Sequence, residues 1–164
     1  MLEGLDDINW SELQYAYGVT SDFPDRIRGL FSGDVDVQTE SLSALEGEIY
    51  HQGSIYQATA YTVPFLIAAL TETNTVIKGE ILAVLADVRR GLSWHAQHES
   101  PDVVAVFDKD PDYDYQGKKE EELKWVRQSY AAVDAGYDTY LSLMDDPDSD
   151  TRIQAKNLLS VIDS

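Results

Sequence analysis

Residues 27–45 read IRGLFSGDVDVQTESLSAL. Ile27 and Leu30 end one apolar stripe, Ser32, Gly33 and Asp34 interrupt it, and Val37, Leu42 and Leu45 open a second at helical spacing. The same layout returns further along the chain. Shifted by 40 residues, Ile27, Leu30, Val37, Leu42 and Leu45 fall on Ile67, Leu70, Ile77, Leu82 and Leu85. Shifted by 114, Ile27, Leu30, Asp34, Asp36, Gln38, Ser41 and Leu45 fall on Leu141, Met144, Asp148, Asp150, Arg152, Ala155 and Leu159. Both shifts keep the interhelical turn in register, with Asp34-Val35-Asp36 against Asp148-Ser149-Asp150. A helical pair cannot bury its apolar face alone, so about three repeated pairs predict an all-α fold in which hairpins stack as a short α-solenoid.

Working outward, Asn9 is a candidate N-cap for a helix from Trp10 to Tyr17 that stops at Gly18. Asp22 is a candidate cap for Pro24 to Phe31, with Gly33 as the stop. Val35 to His51 is amphipathic, with Val37, Leu42, Leu45 and Ile49 on one face and Glu40, Glu46 and Glu48 on the other. Ser54 to Leu70 is apolar over most of its circumference, which suits a central helix. Pro64 removes a backbone donor inside it, so a kink or break is expected between Tyr61 and Pro64. Ile77 to Arg90 follows, with Arg89 and Arg90 at the negative end of its dipole. Residues 92–118 carry Pro101, Pro111, Gly117 and the run Asp108 to Tyr115. They read as a long acidic loop with a short helix at Asp102 to Phe107. Helical periodicity returns at Lys118 to Ala135, Tyr137 to Met144 and Thr151 to Ile162.

With 164 residues, 43% of them apolar, the chain is long enough for a single domain over residues 1–164 with a core that needs no staple. Thirty acidic residues against 12 basic ones give a net charge of -18. Nucleic acid and anionic membrane surfaces would be repelled, and a protein with a basic surface is the favoured partner. Cys is absent, which excludes disulfides, thiolate metal sites and a Cys nucleophile. The segment Met1 to Asp7 is acidic, without the basic start and apolar run of an export signal, so a cytoplasmic location is expected.

The segment Asp148 to Leu159 resembles the second half of a HEAT repeat, where an Asp precedes a Val-Arg pair, a small residue and leucines. Gln38 departs from it, standing where that pattern carries Arg. Trp10 to Gly18, Ile49 to Leu66 and Trp125-Val126-Arg127 resemble a family of small bacterial HEAT-like proteins over nearly the whole chain. Some of those proteins resemble immunity partners encoded beside secreted bacterial toxins. The resemblance implies a toxin-neutralising protein whose partner is a toxin domain.

The candidate contact residues are Trp94, Asp108, Asp110, Asp112, Tyr113, Asp114 and Tyr115 on the acidic segment, with Tyr50, His51 and Tyr56 at a helix junction. There, tyrosines among carboxylates offer rigid area to a basic partner. Acidic residues at Asp110, Asp112, Asp114 and Glu121 echo the calcium spacing of an EF-hand loop, but Tyr115 stands where that loop demands Gly. His95, His98 and Glu99 would converge on a metal or supply a general base if their segment were helical, although Gly91, Ser93 and Pro101 flank it. His51 is placed to cap helix-terminal carbonyls, and Tyr61, Trp10 and Trp125 read as packing residues. No phosphate loop, nucleophile elbow or paired metal-ligand helix motif occurs. HEAT-like glycosylases bind through a basic concave face, whereas the first 82 residues here hold 13 acidic and 3 basic residues. The expectation is a non-enzymatic binding module without catalytic, cofactor or metal residues. A HEAT-like scaffold with a partner other than a toxin, and an enzyme using His51 or the His95 and His98 pair, are the alternatives.

Overall fold

The computed structural model describes residues 2–17 and 22–164. The chain opens not with an α-helix from Trp10 to Tyr17 but with two 3-10 turns, Leu5–Asp7 and Trp10–Glu12. Side chains close these turns in competition with helix formation. Trp10 Nε1 donates to the Leu5 carbonyl at 2.8 Å and the Tyr15 hydroxyl donates to the Trp10 carbonyl at 2.6 Å. Asn9 makes no side-chain cap, and Gly18 lies outside the described residues.

Helix α1 spans Phe23–Gly29, α2 Val35–Ile49, α3 Gln57–Leu70, α4 Lys78–Arg90, α5 Trp94–Gln97, α6 Pro101–Phe107, α7 Tyr115–Asp134, α8 Tyr137–Leu143 and α9 Ser149–Ile162. Asp22 pairs with Arg26 at 3.0 Å instead of capping α1, which ends before Gly33. Helix α2 stops two residues early because Tyr50–His51 (β1) pairs antiparallel with Ser54–Ile55 (β2). Gln52 and Gly53, with φ of 49° and 84°, make the two-residue turn that such a hairpin requires. The fold is therefore all-α apart from this small hairpin. Helix α3 runs unbroken through Pro64, so the break expected at 61–64 does not occur.

The segment 92–118, expected as a long acidic loop with a short helix at Asp102 to Phe107, holds that helix as α6 but is also helical in α5 and at the start of α7. Ser93 caps α5 through the Ala96 N–H, Ser100 caps α6 through the Val103 N–H, and Asp114 caps α7 through the Gly117 N–H. Only Asp108 to Asp114 remains a non-helical acidic segment. Among the described residues, no helix is long and apolar enough to cross a membrane.

Helices α1/α2, α3/α4 and α8/α9 pair as hairpins, and α9 packs most extensively on α4, then α7 on α3. Helices α2, α4 and α9 run in one direction. Gln38 near the start of α2 bonds Asn74 and Val76 before α4, while Glu46 and Tyr50 at the other end lie near Asp87. Gly79 at the start of α4 abuts Asp150 at the start of α9, and Arg90 donates to Asn157 near their ends. One contiguous core joins Phe23, Ile27 and Leu45 of the first pair to Leu66, Leu82 and Leu85 of the second and Tyr140, Leu158 and Leu159 of the last. Positions that align by sequence need not be equally buried: Leu141 and Met144 are 44% and 39% exposed where Ile27 and Leu30 are fully enclosed.

Candidate functional site

The sequence-selected residues gather around Glu122, on the first half of α7. Glu122 Oε2 accepts from Ser93 Oγ at 2.7 Å and from the His95 N–H at 3.0 Å, while Oε1 meets His95 Nδ1 at 2.7 Å. His95 Nε2 lies 2.7 Å from the Tyr113 hydroxyl. An ionised carboxylate can only accept, so His95 Nδ1 donates to Glu122, and the Nε2 of a neutral ring accepts from Tyr113. Tyr115 donates to the His95 carbonyl at 2.7 Å. Burial, with the Glu122 carboxylate next in effect, pushes the Tyr113 and Tyr56 phenols up. They stay protonated donors through the physiological range.

The histidine candidates have different partners. His95, 7% exposed, points inward at Glu122, whereas His98 stacks on Trp94 with ring centroids 4.4 Å apart and its Nδ1 bonds the Trp94 carbonyl. Glu99 accepts from Lys119 at 2.8 Å and Gln116 at 3.2 Å. The three side chains diverge: α5 ends at Gln97, so His98 and Glu99 lie beyond the helix that carries His95. Among the described residues, no three His, Asp or Glu side chains are placed to hold a metal ion. Asp110 and Asp114 instead bond the Asp112 and Gly117 N–H groups, and Glu121 lies exposed on α7. What the arrangement does chemically is orient: each polar group of the Ser93, His95, Tyr113 and Glu122 set is bonded to another member of it.

The partner candidates divide by exposure. Asp108, Asp110, Asp112 and Asp114 are exposed, Trp94 is 36% exposed and Tyr113 is half-buried against Phe107. Tyr115 is buried, so it supports the segment from beneath and offers no contact area. Tyr50, His51 and Tyr56 are half-buried at the hairpin. His51 sits in a strand, with the Tyr17 hydroxyl 3.1 Å from Nδ1, and does not cap helix carbonyls as expected. Ile55 and Leu92 exchange backbone bonds with the segment opposite, through Ile55 N–H to the Leu92 carbonyl and Leu92 N–H to that of Gly53. This bridge joins the two sequence-selected patches. Trp10 and Trp125 are buried, as packing residues should be, while Tyr61 is 42% exposed.

A second feature was not visible in the sequence. Between α2 and α4 opens a groove of about 280 Å³, floored by Leu42, Ile77, Ala83 and Val84 and rimmed by Glu46 and Glu80. Burial, and then the Asp87 carboxylate, push the Glu46 carboxyl up. The groove depends on two helices one 40-residue shift apart lying side by side, which no local period reports. Small residues facing each other across the pair, Ser43 and Ala83, are the faint signal that existed. No protein-family model, curated protein or solved structure matches this chain, so its fold and its site stand on their own geometry.

Proposed function

We propose that the chain is a protein-binding module, a short HEAT-like α-solenoid whose carboxylate-rich surface docks on a basic partner, and that this partner is a toxin domain which it neutralises. Three features support the solenoid reading. Helices α2, α4 and α9 run in parallel; Asp34 and Asp148 cap α2 and α9 at equivalent positions; and each cap's own N–H bonds the side chain two residues before it, Ser32 or Asp146. The turn is thus repeated in its hydrogen bonds as well as its letters.

The observation that carries the binding reading is the charge balance. Twelve Lys and Arg cannot offset 30 carboxylates, and Arg26, Arg28, Lys78, Arg89, Arg90 and Lys119 are already held in internal ion pairs. The remaining field is directed outward, and it raises the association rate with a cationic surface by roughly 10- to 1,000-fold at low salt. Affinity capture followed by kinetics with the purified partner tests this. Association should slow steeply with added salt, and expression of the partner alone should arrest growth that this chain restores. A partner that is harmless alone would favour the scaffold alternative. Association indifferent to salt would remove the electrostatic reading altogether.

A further inference from the structure

We propose that the groove between α2 and α4 seats an amphipathic helix of the basic partner, with an apolar side chain on the floor and lysine or arginine side chains against Glu46 and Glu80. This deepens the binding-module reading and rests on it. The floor is aliphatic, so it rewards an apolar anchor and gives a polar ligand little to orient it. At about 280 Å³ the space lies below the roughly 300–1,000 Å³ of small-molecule sites and suits one or two side chains. Because α2 and α4 run in the same direction and wall the groove on either side, a helix laid between them can reach its floor through residues one turn apart.

The rim selects the charge of the occupant. Glu46 and Glu80 have no ion-pair partner among the described residues. Asp87 adds a third carboxylate beside Glu46, and Arg90, 3.7 Å from Asp87, is the cation at that end, next to Tyr50. An apolar trough edged by unpaired carboxylates repels an acidic helix and leaves its own charges uncompensated until a cation arrives. Glu46 is half-buried, so the incoming cation meets it partly out of water, where the attraction is stronger than at a fully wetted carboxylate.

The probe is a fluorescent 14-residue peptide of Leu and Lys at helical spacing, titrated by anisotropy against the whole chain in about 0.1 M salt. Thr39→Trp and Ala83→Trp fill the trough from either wall. Glu46→Gln with Glu80→Gln removes the rim charge, and Glu120→Gln with Glu121→Gln removes equal charge from α7. Circular dichroism confirms folding, and Thr39, being exposed, keeps the test available if Ala83→Trp fails to fold. The trough-filling and rim variants should weaken binding about tenfold or more, with the α7 pair within about twofold of the parent. Equal weakening by all variants would overturn the groove assignment while leaving the cationic-partner reading intact. Absence of peptide binding would also overturn the groove assignment. The wider reading falls separately, if the natural partner associates without salt dependence.

Discussion

Gln38 shows how one side chain can fasten two helical pairs. Fully buried, it donates to the carbonyls of Ser32 and Asn74 and accepts from the Val76 N–H at 3.1 Å. Arg carries no acceptor, so the residue usual in the HEAT pattern could not make the last of these bonds. Gln38→Leu and Gln38→Arg should both lower unfolding free energy by about 1–3 kcal/mol, because each breaks hydrogen bonds that the buried Gln38 makes between the two pairs. Urea denaturation checks this, and an unchanged midpoint for Gln38→Arg would show that the Val76 N–H finds another acceptor. Glu46 acts in the opposite sense. Its carboxyl is pushed up by burial and by Asp87, so the folded state holds that proton more tightly than the unfolded chain does. Its penalty on stability is fully present above the folded titration point and fades as pH falls through it. Glu46→Gln should therefore melt slightly higher than the parent at pH 7. The gap should close below the ordinary glutamate range, as paired melts across pH would reveal.

At the scale of elements, the Glu122 network holds α5 against α7. A four-residue helix has too few internal bonds to persist by itself, so α5 depends on the Ser93 cap and the three bonds to Glu122. Glu122→Gln keeps one acceptor oxygen for Ser93 and the His95 N–H but turns an NH2 donor toward His95 Nδ1–H. It should cost about 1–3 kcal/mol and speed amide exchange in residues 93–98 well ahead of α9. Uniform exchange across the chain would show that α5 is held by its aromatic contacts alone. The same weakness explains what could be read in the sequence. Helices α2, α4 and α9 were legible because each spans three or more turns of apolar period behind an Asp cap or a clear apolar start. Helix α5 was not, since four residues give no period, whereas α6 was legible at Asp102 to Phe107 without Pro101, which read as a breaker where it opens the helix. Gln52-Gly53 hid the hairpin because Gln is an uncommon choice for a left-handed turn position. Of the site, Trp94 and Tyr113 were legible as one group on the acidic segment, whereas His95 read as a companion of His98 and Glu99. Glu122, its centre, was hidden within an acidic run where its neighbours Glu120 and Glu121 are exposed.

For the whole molecule the question is whether repulsion or pairing governs stability. Salt screens both the surplus of carboxylates and exposed ion pairs such as Arg28 with Asp25. Exposed pairs contribute about 0–1 kcal/mol each, while 18 uncompensated charges oppose compaction together. Raising salt from about 0.01 to 0.5 M should therefore lift the melting temperature by roughly 2–8 °C, at about 2–4 °C per kcal/mol for a chain of this size. A fall on adding salt would show that the internal pairs dominate.

The two junctions between parallel helices differ in how tightly they close. At Gly79 a methyl group would meet the Asp150 carboxylate at 2.1 Å, and Lys78 reaches Asp146 nearby, whereas α2 and α4 stand far enough apart to leave an open trough. Random variants should accordingly be purged at the α4 and α9 contact and accumulate freely along the trough. Descendants of this chain could then trade one binding target for another by altering a few trough residues, with the clamped end keeping them folded through the change.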